Sequence, residues 1–155
     1  MSGRIIAIGD IHGCSKALAA LVEAIGPGPD DTLVPLGDYI DRGPDSRGVL
    51  DQLISLGERC LVVPLMGNHY YEPDRLLYEQ SWGGLRWASL PPRSEPHRSG
   101  KVALVGHTAQ KSGEVLDLGY LKCIDTFCHG GGWLTALEVE TGRVWQADRE
   151  GRLRA

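Results

Sequence analysis

Four short clusters, each led by glycine, hold the side chains of this sequence that could do chemistry. They are Gly9-Asp10-Ile11-His12-Gly13, Gly37-Asp38-Tyr39-Ile40-Asp41-Arg42-Gly43, Gly67-Asn68-His69 and Gly106-His107-Thr108. Carboxylate, imidazole and amide donors together make a mixed nitrogen and oxygen ligand set, suited to Mn, Fe or Zn. Two cations held close together would share a bridging carboxylate and a bridging hydroxide. Taken singly, a Gly-Asp pair is an ordinary turn. Four such clusters in one chain, with ligand-type side chains in each, make a metal site the stronger reading.

A site of this kind needs elements that end where the ligands stand. Arg4–Ile8 reads as a buried strand running into Asp10. Ser15 reads as the N-cap of a helix whose apolar face is Leu18, Leu21, Val22 and Ile25, stopped by Gly26-Pro27. Thr32–Leu36 is a second strand ending at Asp38, and its Pro35 predicts an edge position or a bulge. Asp45 or Ser46 caps a second helix through Leu56, with Val49, Leu50, Leu53 and Ile54 on one face. Cys60–Leu65 is a third strand, ending at Asn68 and His69. A short helix is expected over Glu72–Gln80, and Lys101–Val105 is a fourth strand, ending at His107. A β-rich stretch follows: Glu114–Leu118, Leu121–Asp125, Trp133–Glu140 and Arg143–Ala147, with a hairpin turn at Glu140–Arg143. Strands alternating with helices predict an α/β fold, whose sites form at the carboxyl ends of strands.

Composition narrows the class. The 155 residues suit one domain, and 42% apolar content suffices for a core. A formal charge of −4 argues against a dedicated nucleic-acid or acidic-membrane binder, whose footprint is basic. The opening residues read as a strand and not as a signal peptide, and no apolar run approaches the roughly eighteen residues of a membrane helix. Cys14, Cys60, Cys123 and Cys128 form no Cys-x-x-Cys pair and read as reduced core thiols of a cytoplasmic protein.

GDIHG, GDYIDRG, GNH and GHT, in this order and each after an apolar strand, resemble the calcineurin-like metallophosphoesterases of the phosphoprotein phosphatase type. The resemblance covers residues 4 to 71 and resumes over 101 to 147, where Ile124-Asp125-Thr126 and Gly131–Leu137 are similar to the C-terminal strands of bacterial members. It implies two packed β-sheets flanked by helices, in a single domain over 1–155 with a shortened segment around 72–100. It also implies two divalent metal ions, Mn first and Fe or Zn as alternatives. Asp10 and His12 would bind one ion, Asp38 would bridge both, and Asn68 and His107 would bind the other. His69 would protonate the leaving oxygen, Asp41 would orient His69, and Arg42 would clamp the phosphate. A hydroxide held by the two metals would attack phosphorus in line.

The sequence departs from that pattern in three ways. Tyr70 stands where an acidic residue usually follows Gly-Asn-His. The stretch from His69 to His107 is short and lacks the usual further histidine ligand and second phosphate-binding arginine. The shortening should also open the cleft and relax selectivity. His129 and His97 are candidates for an extra ligand or a group behind the ligands, and Arg86, Arg93 and Arg98 for the missing clamp. Trp82–Arg86 resembles the entry to the missing part. The implied activity is a phosphomonoesterase for phosphoserine and phosphothreonine proteins and small aryl phosphates. The alternatives are a hydrolase of diadenosine tetraphosphate-like nucleotide polyphosphates, or a non-catalytic module that keeps phosphate or metal binding. Substrate partners are therefore a phosphorylated protein or a small phosphoester, with no nucleic acid and no membrane, and the sequence fixes no oligomeric state.

Overall fold

Alternation along the first strand places apolar side chains in two cores at once. The structure is a computed structural model that describes residues 3–68, 90, 95–96 and 98–155. In β1, Ile5–Ile8, Ile6 and Ile8 face a core shared with the helices, while Ala7 faces a second core between two sheets. β7, Leu134–Glu138, repeats the division: Leu134 and Ala136 join the helix-side core and Leu137 the inter-sheet core.

The larger sheet has the order β3-β2-β1-β7-β8, with β2 at Thr32–Pro35, β3 at Leu61–Val62 and β8 at Val144–Ala147. β1, β2 and β3 run parallel, and β7 and β8 add antiparallel strands beyond β1. The smaller sheet has the order β4-β6-β5, from Ala103–Val105, Leu121–Cys123 and Leu116–Asp117. Ala7, Ile124 and Leu137, with Leu36, Leu104 and Val115 against them, fill the space between the sheets. Two sheets with helices are the architecture that the motif resemblance implied.

Helix α1, Ser15–Ile25, buries Ala17, Leu18, Leu21 and Ile25, a stripe at helical spacing, mainly against β8 and α2. It ends at Gly26 in the left-handed region, φ 55°, whose N–H donates to Val22 O. Ser15 lies inside the helix; the cap position is Cys14, with no side-chain cap bond. Helix α2, Ser46–Gly57, is capped by Asp45, which accepts from Gly48 N at 2.9 Å. Its inward stripe is Val49, Leu53 and Leu56, whereas Leu50 and Ile54 are exposed, so only part of the expected apolar face is used.

Pro35 sits in an interior strand, not at an edge. Leu33 O and Pro35 O accept from Val63 N and Leu65 N, so Pro35 faces the side of β3, and the ladder bond its nitrogen would donate between those two is missing. The regular pairing of β3 accordingly stops at Val62. The expected helix over 72–80 lies outside the described residues. Among the described residues, no helix is long and apolar enough to cross a membrane.

Candidate metal centre

β1 and β2 are adjacent and parallel, so the loops after them emerge side by side at the same end of the sheet. Asp10 and His12 stand on the first loop and Asp38 on the second, all three buried. Ligand atoms of Asp10, His12 and Asp38 lie within 4.8 Å of one another. The loops are stitched together: His12 N donates to Asp38 O at 2.8 Å, and Gly13 N to Tyr39 O at 2.9 Å. His12 (φ 45°), Asp38 (47°), Asp41 (66°), Arg42 (62°) and His107 (65°) all hold left-handed backbone conformations. Each costs about 1–2 kcal/mol for a residue with a Cβ, and their concentration on these loops marks a site that the surrounding fold holds in place.

The glycines of the clusters make room for the candidate ligands of other clusters. A Cβ on Gly106 would overlap Asp10 Oδ1, and one on Gly67 would overlap Asp38 Oδ1. Gly37, at φ 114°, is pressed against Gly67, where an added Cβ would stand 2.6 Å from its Cα. Each of these glycines therefore protects an element contributed by another cluster.

His107 belongs to the loop after β4, in the other sheet, and its backbone N–H bonds the Asp10 carboxylate at 3.2 and 3.0 Å. Its Nδ1 stands 3.9 Å from Asp38 Oδ2, and His12 Nε2 stands 3.7 Å from the same oxygen. One Asp38 oxygen thus faces an imidazole on either side. Asn68 is buried nearby, and among the described residues neither its Oδ1 nor its Nδ2 has a hydrogen-bond partner. A buried amide without bonds costs about 1–3 kcal/mol. A cavity of about 230 Å³ opens onto Asp10, Asp38, Asn68 and His107.

These features fit divalent cations. His12 Nδ1 lies 3.1 Å from Ile40 O, which can only accept, so that nitrogen carries the proton. The Nε2 lone pair then faces the carboxylates of Asp10 and Asp38 at 4.0 and 3.7 Å, an arrangement that calls for positive charge between them. Burial lowers the His12 pKa to about 4, keeping it in the neutral form that ligates. Burial, then the charges of Asp125 and Asp38, push Asp10 up to about 8. A cation among these carboxylates would relieve their crowding, and Asn68 Oδ1 is an unused acceptor at the same cavity.

Asp125 escaped the sequence reading as a site residue. It is buried, its own pKa is raised first by burial, and its charge acts on Asp10. Its position after β6 was the available signal, because β6 runs parallel to β4 and ends beside His107's loop. His129 lies on a 3-10 turn, Cys128–Gly130, reached through Phe127 at φ 67°. Its ring packs edge-on against that of His12, centroids 4.7 Å apart, and its Nε2 lies 3.3 Å from Arg42 Nη1. His129 and Arg42 therefore stand behind His12. Asp41 is exposed, and its N–H donates to Ser46 Oγ. His69, His97, Tyr70, Arg86, Arg93 and the Trp82–Trp87 stretch lie outside the described residues.

A family model described as calcineurin-like phosphoesterase matches residues 3–149. The chain belongs to the calcineurin-like phosphoesterases. This is a family of divalent-metal hydrolases, and the Asp10–His12–Asp38 cluster accords with that class. Among curated phosphoesterase relatives, a symmetrical bis(5'-nucleosyl)-tetraphosphatase of Acidovorax sp. (strain JS42) is 49% identical over 63 residues. That stretch covers 40% of this chain and 22% of the relative. A protein of the same name from Burkholderia pseudomallei (strain 668) is 41% identical over 64 residues, 41% of this chain and 22% of the relative. The match to these relatives thus spans about a fifth of their length. Among solved structures, one provisionally named a diadenosine tetraphosphatase superposes with a TM-score of 0.71 at 20% identity, covering 95% of this chain and 94% of that one. A cold-active protein-tyrosine phosphatase of a psychrophilic Shewanella gives 0.63 at 15% identity, covering 99% and 80%. At those identities the likeness is one of fold.

Proposed function

We propose that this chain is a metal-dependent hydrolase of nucleotide polyphosphates of the dinucleoside tetraphosphate kind. The observation that carries the reaction class is Asp38 Oδ2, set between His12 Nε2 and His107 Nδ1 at 3.7 and 3.9 Å. The substrate class is supported by the relatives with 49% and 41% local identity, both named tetraphosphatases. Asp10, His12 and Asp38 would hold one divalent cation and Asp38, Asn68 and His107 a second, with Mn first among the candidates. Such ions, when bound, polarise a phosphoryl oxygen and activate water.

The protein's own groups do the rest. The His107 N–H and the loop bonds around His12 fix the ligands before substrate arrives. Arg42 offers a planar fork to phosphate oxygens. His69, next to Asn68 in the chain, would supply the proton to the leaving oxygen, oriented by Asp41.

A phosphomonoesterase acting on phosphoserine, phosphothreonine or small aryl phosphates is the second reading. It is favoured by the cavity over the ligands, whose described lining has no aromatic ring apart from His107 to stack a base. The deciding experiment compares kcat/KM for diadenosine tetraphosphate, p-nitrophenyl phosphate and a phosphothreonine peptide in Mn²⁺, with bound metal counted by elemental analysis. At least a tenfold preference for the dinucleotide supports the first reading. Equal or greater turnover of the phosphopeptide moves the assignment to the second. Bound metal without turnover of any substrate would make the chain a binding module.

A further inference from the structure

Beside the metal centre lies a second cavity, about 180 Å³, lined by Cys14, Arg42, Gly43, Pro44, His129 and Arg149. It shares no described lining residue with the cavity over the ligands; its His129 packs edge-on against the His12 ring at 4.7 Å, with Arg42 Nη1 at 3.3 Å from its Nε2. We propose that Arg149, with Arg42 and His129, forms a subsite for a phosphate linked to the one being hydrolysed. This rests on the polyphosphate reading above.

The guanidinium groups of Arg42 and Arg149, far apart in the sequence, both line this small cavity, and an anion between them would be attracted to both. Arg149 is only partly neutralised by its neighbours. Its Nε touches Glu150 Oε1 at 3.4 Å, but Glu150 is also held by Lys16 Nζ at 3.0 Å. Asp148 is committed to the N–H groups of Glu150 and Arg152, both at 2.9 Å, and to the Arg152 side chain at 3.9 Å. Arg149 Nη1 and Nη2 have no hydrogen bond or ion pair among the described residues. Arginine forks match phosphate oxygens in geometry as well as charge.

The backbone beneath Arg149 is set in advance. The turn after β8 is closed by Gly151 N to Asp148 O and Asp148 N to Arg152 O, both 2.9 Å. Gly151, at φ 85°, fits so closely over α1 that an added Cβ would stand 3.0 Å from Lys16 O. The cavity's 180 Å³ compares with about 30 Å³ for one water in the liquid, leaving space for a phosphoryl group and its hydration. A substrate with one phosphate would fill the metal cavity alone, whereas a phosphate chain would reach past His129 to Arg149.

The test is calorimetric binding of inorganic tripolyphosphate and of orthophosphate to the metal-loaded protein, with Mg²⁺ in excess of phosphate. Arg149→Ala is expected to raise the Kd of tripolyphosphate at least tenfold more than that of orthophosphate. Arg149→Lys should recover part of the loss, since it keeps the charge but not the fork. An equal factor for both anions, no change for either, or no tripolyphosphate binding by the unaltered protein would overturn the subsite. Because this reads binding, it stands apart from turnover: absence of dinucleotide hydrolysis defeats the polyphosphate reading, while an equal factor for both anions defeats the subsite alone.

Discussion

The backbone N–H of His107 donates to both carboxylate oxygens of Asp10, at 3.2 and 3.0 Å. This bond joins the loop after β4 in one sheet to the loop after β1 in the other, at the point where the ligands meet. The two residues approach so closely only because Gly106 has no side chain.

Gly106→Ala should therefore act on the metal centre while leaving the fold in place. A methyl group there displaces the Asp10 carboxylate, and disturbing a ligand's support typically weakens metal affinity about ten- to a hundredfold. Gly67→Ala should do the same through Asp38. Metal titration followed by elemental analysis checks both, and wild-type affinity in either variant would contradict the packing argument.

Loading the centre should stabilise the chain, because cations relieve the crowding of Asp10, Asp38 and Asp125. A ligand at a hundred times its Kd adds about 2.7 kcal/mol to folding, which a thermal melt with and without Mn²⁺ will show. Asp125→Asn removes one charge from the cluster and should reduce the metal-induced shift in Tm. An identical shift in the variant would place Asp125 outside the metal's field.

His129→Ala separates two roles. If the residue backs His12 and Arg42, as its contacts indicate, metal stoichiometry stays at the wild-type value while turnover falls about tenfold. Loss of one metal per chain would make it a ligand instead.

Asp38→Asn should cut turnover by at least about a hundredfold whatever the substrate. His69→Ala should cost about a hundredfold or more for substrates with an alkoxide leaving group, the usual scale for proton transfer. It should cost much less for p-nitrophenyl phosphate, whose leaving group departs without a proton. Equal losses on both kinds of substrate would remove His69 from the proton-donor role.

Asp31 anchors the start of β1: it accepts from Arg4 N at 2.8 Å and pairs with the Arg4 guanidinium at 2.6 Å, while Gly28 N donates to it at 2.9 Å. The Arg4 side chain foremost holds its pKa well below the usual carboxylate range. Since the folded value lies below the unfolded one of about 3.9, the stabilisation is complete above that pH and is lost as pH falls through the folded value. Asp31→Asn should lose about 1–3 kcal/mol near neutrality, and the gap to wild type should narrow below about pH 4. Urea melts across pH 2–7 test this, and a gap that stays constant would exclude the ion pair as its source.

The sequence shows the strand ends well, because each ligand cluster follows an apolar run closed by glycine, and the helix stripe of α1 follows from its 3.6-residue period. It shows less where distant partners decide. Leu50 and Ile54 satisfy helical periodicity as well as Leu53 and Leu56 do, and packing against α1 and β3 selects the stripe. Pro35 looked like an edge residue because β2 alone does not show that residues 63–65 pair along its far side despite the missing N–H. Asp125 carries no glycine signal of its own, since β6 acquires its place beside β4 through parallel pairing with a segment many residues away. The roles of the motif glycines are likewise invisible locally: Gly67 matters to Asp38, and Gly106 to Asp10. The part-buried bond from Thr126 Oγ1 to Trp133 O at 2.6 Å closes the loop bearing His129, and that from Gln146 Nε2 to Thr135 Oγ1 at 2.8 Å ties the adjoining β7 to β8, through residues that no motif marks.

β1 pairs with β2 on one side and with β7 on the other, so Ile6 lies opposite Glu138. Pairing with β2 closes one edge of this strand locally, whereas its other edge is closed only by a segment far along the chain. The loop bearing Asp10 and His12 is therefore braced by a long-range pairing, the kind of contact that slows folding.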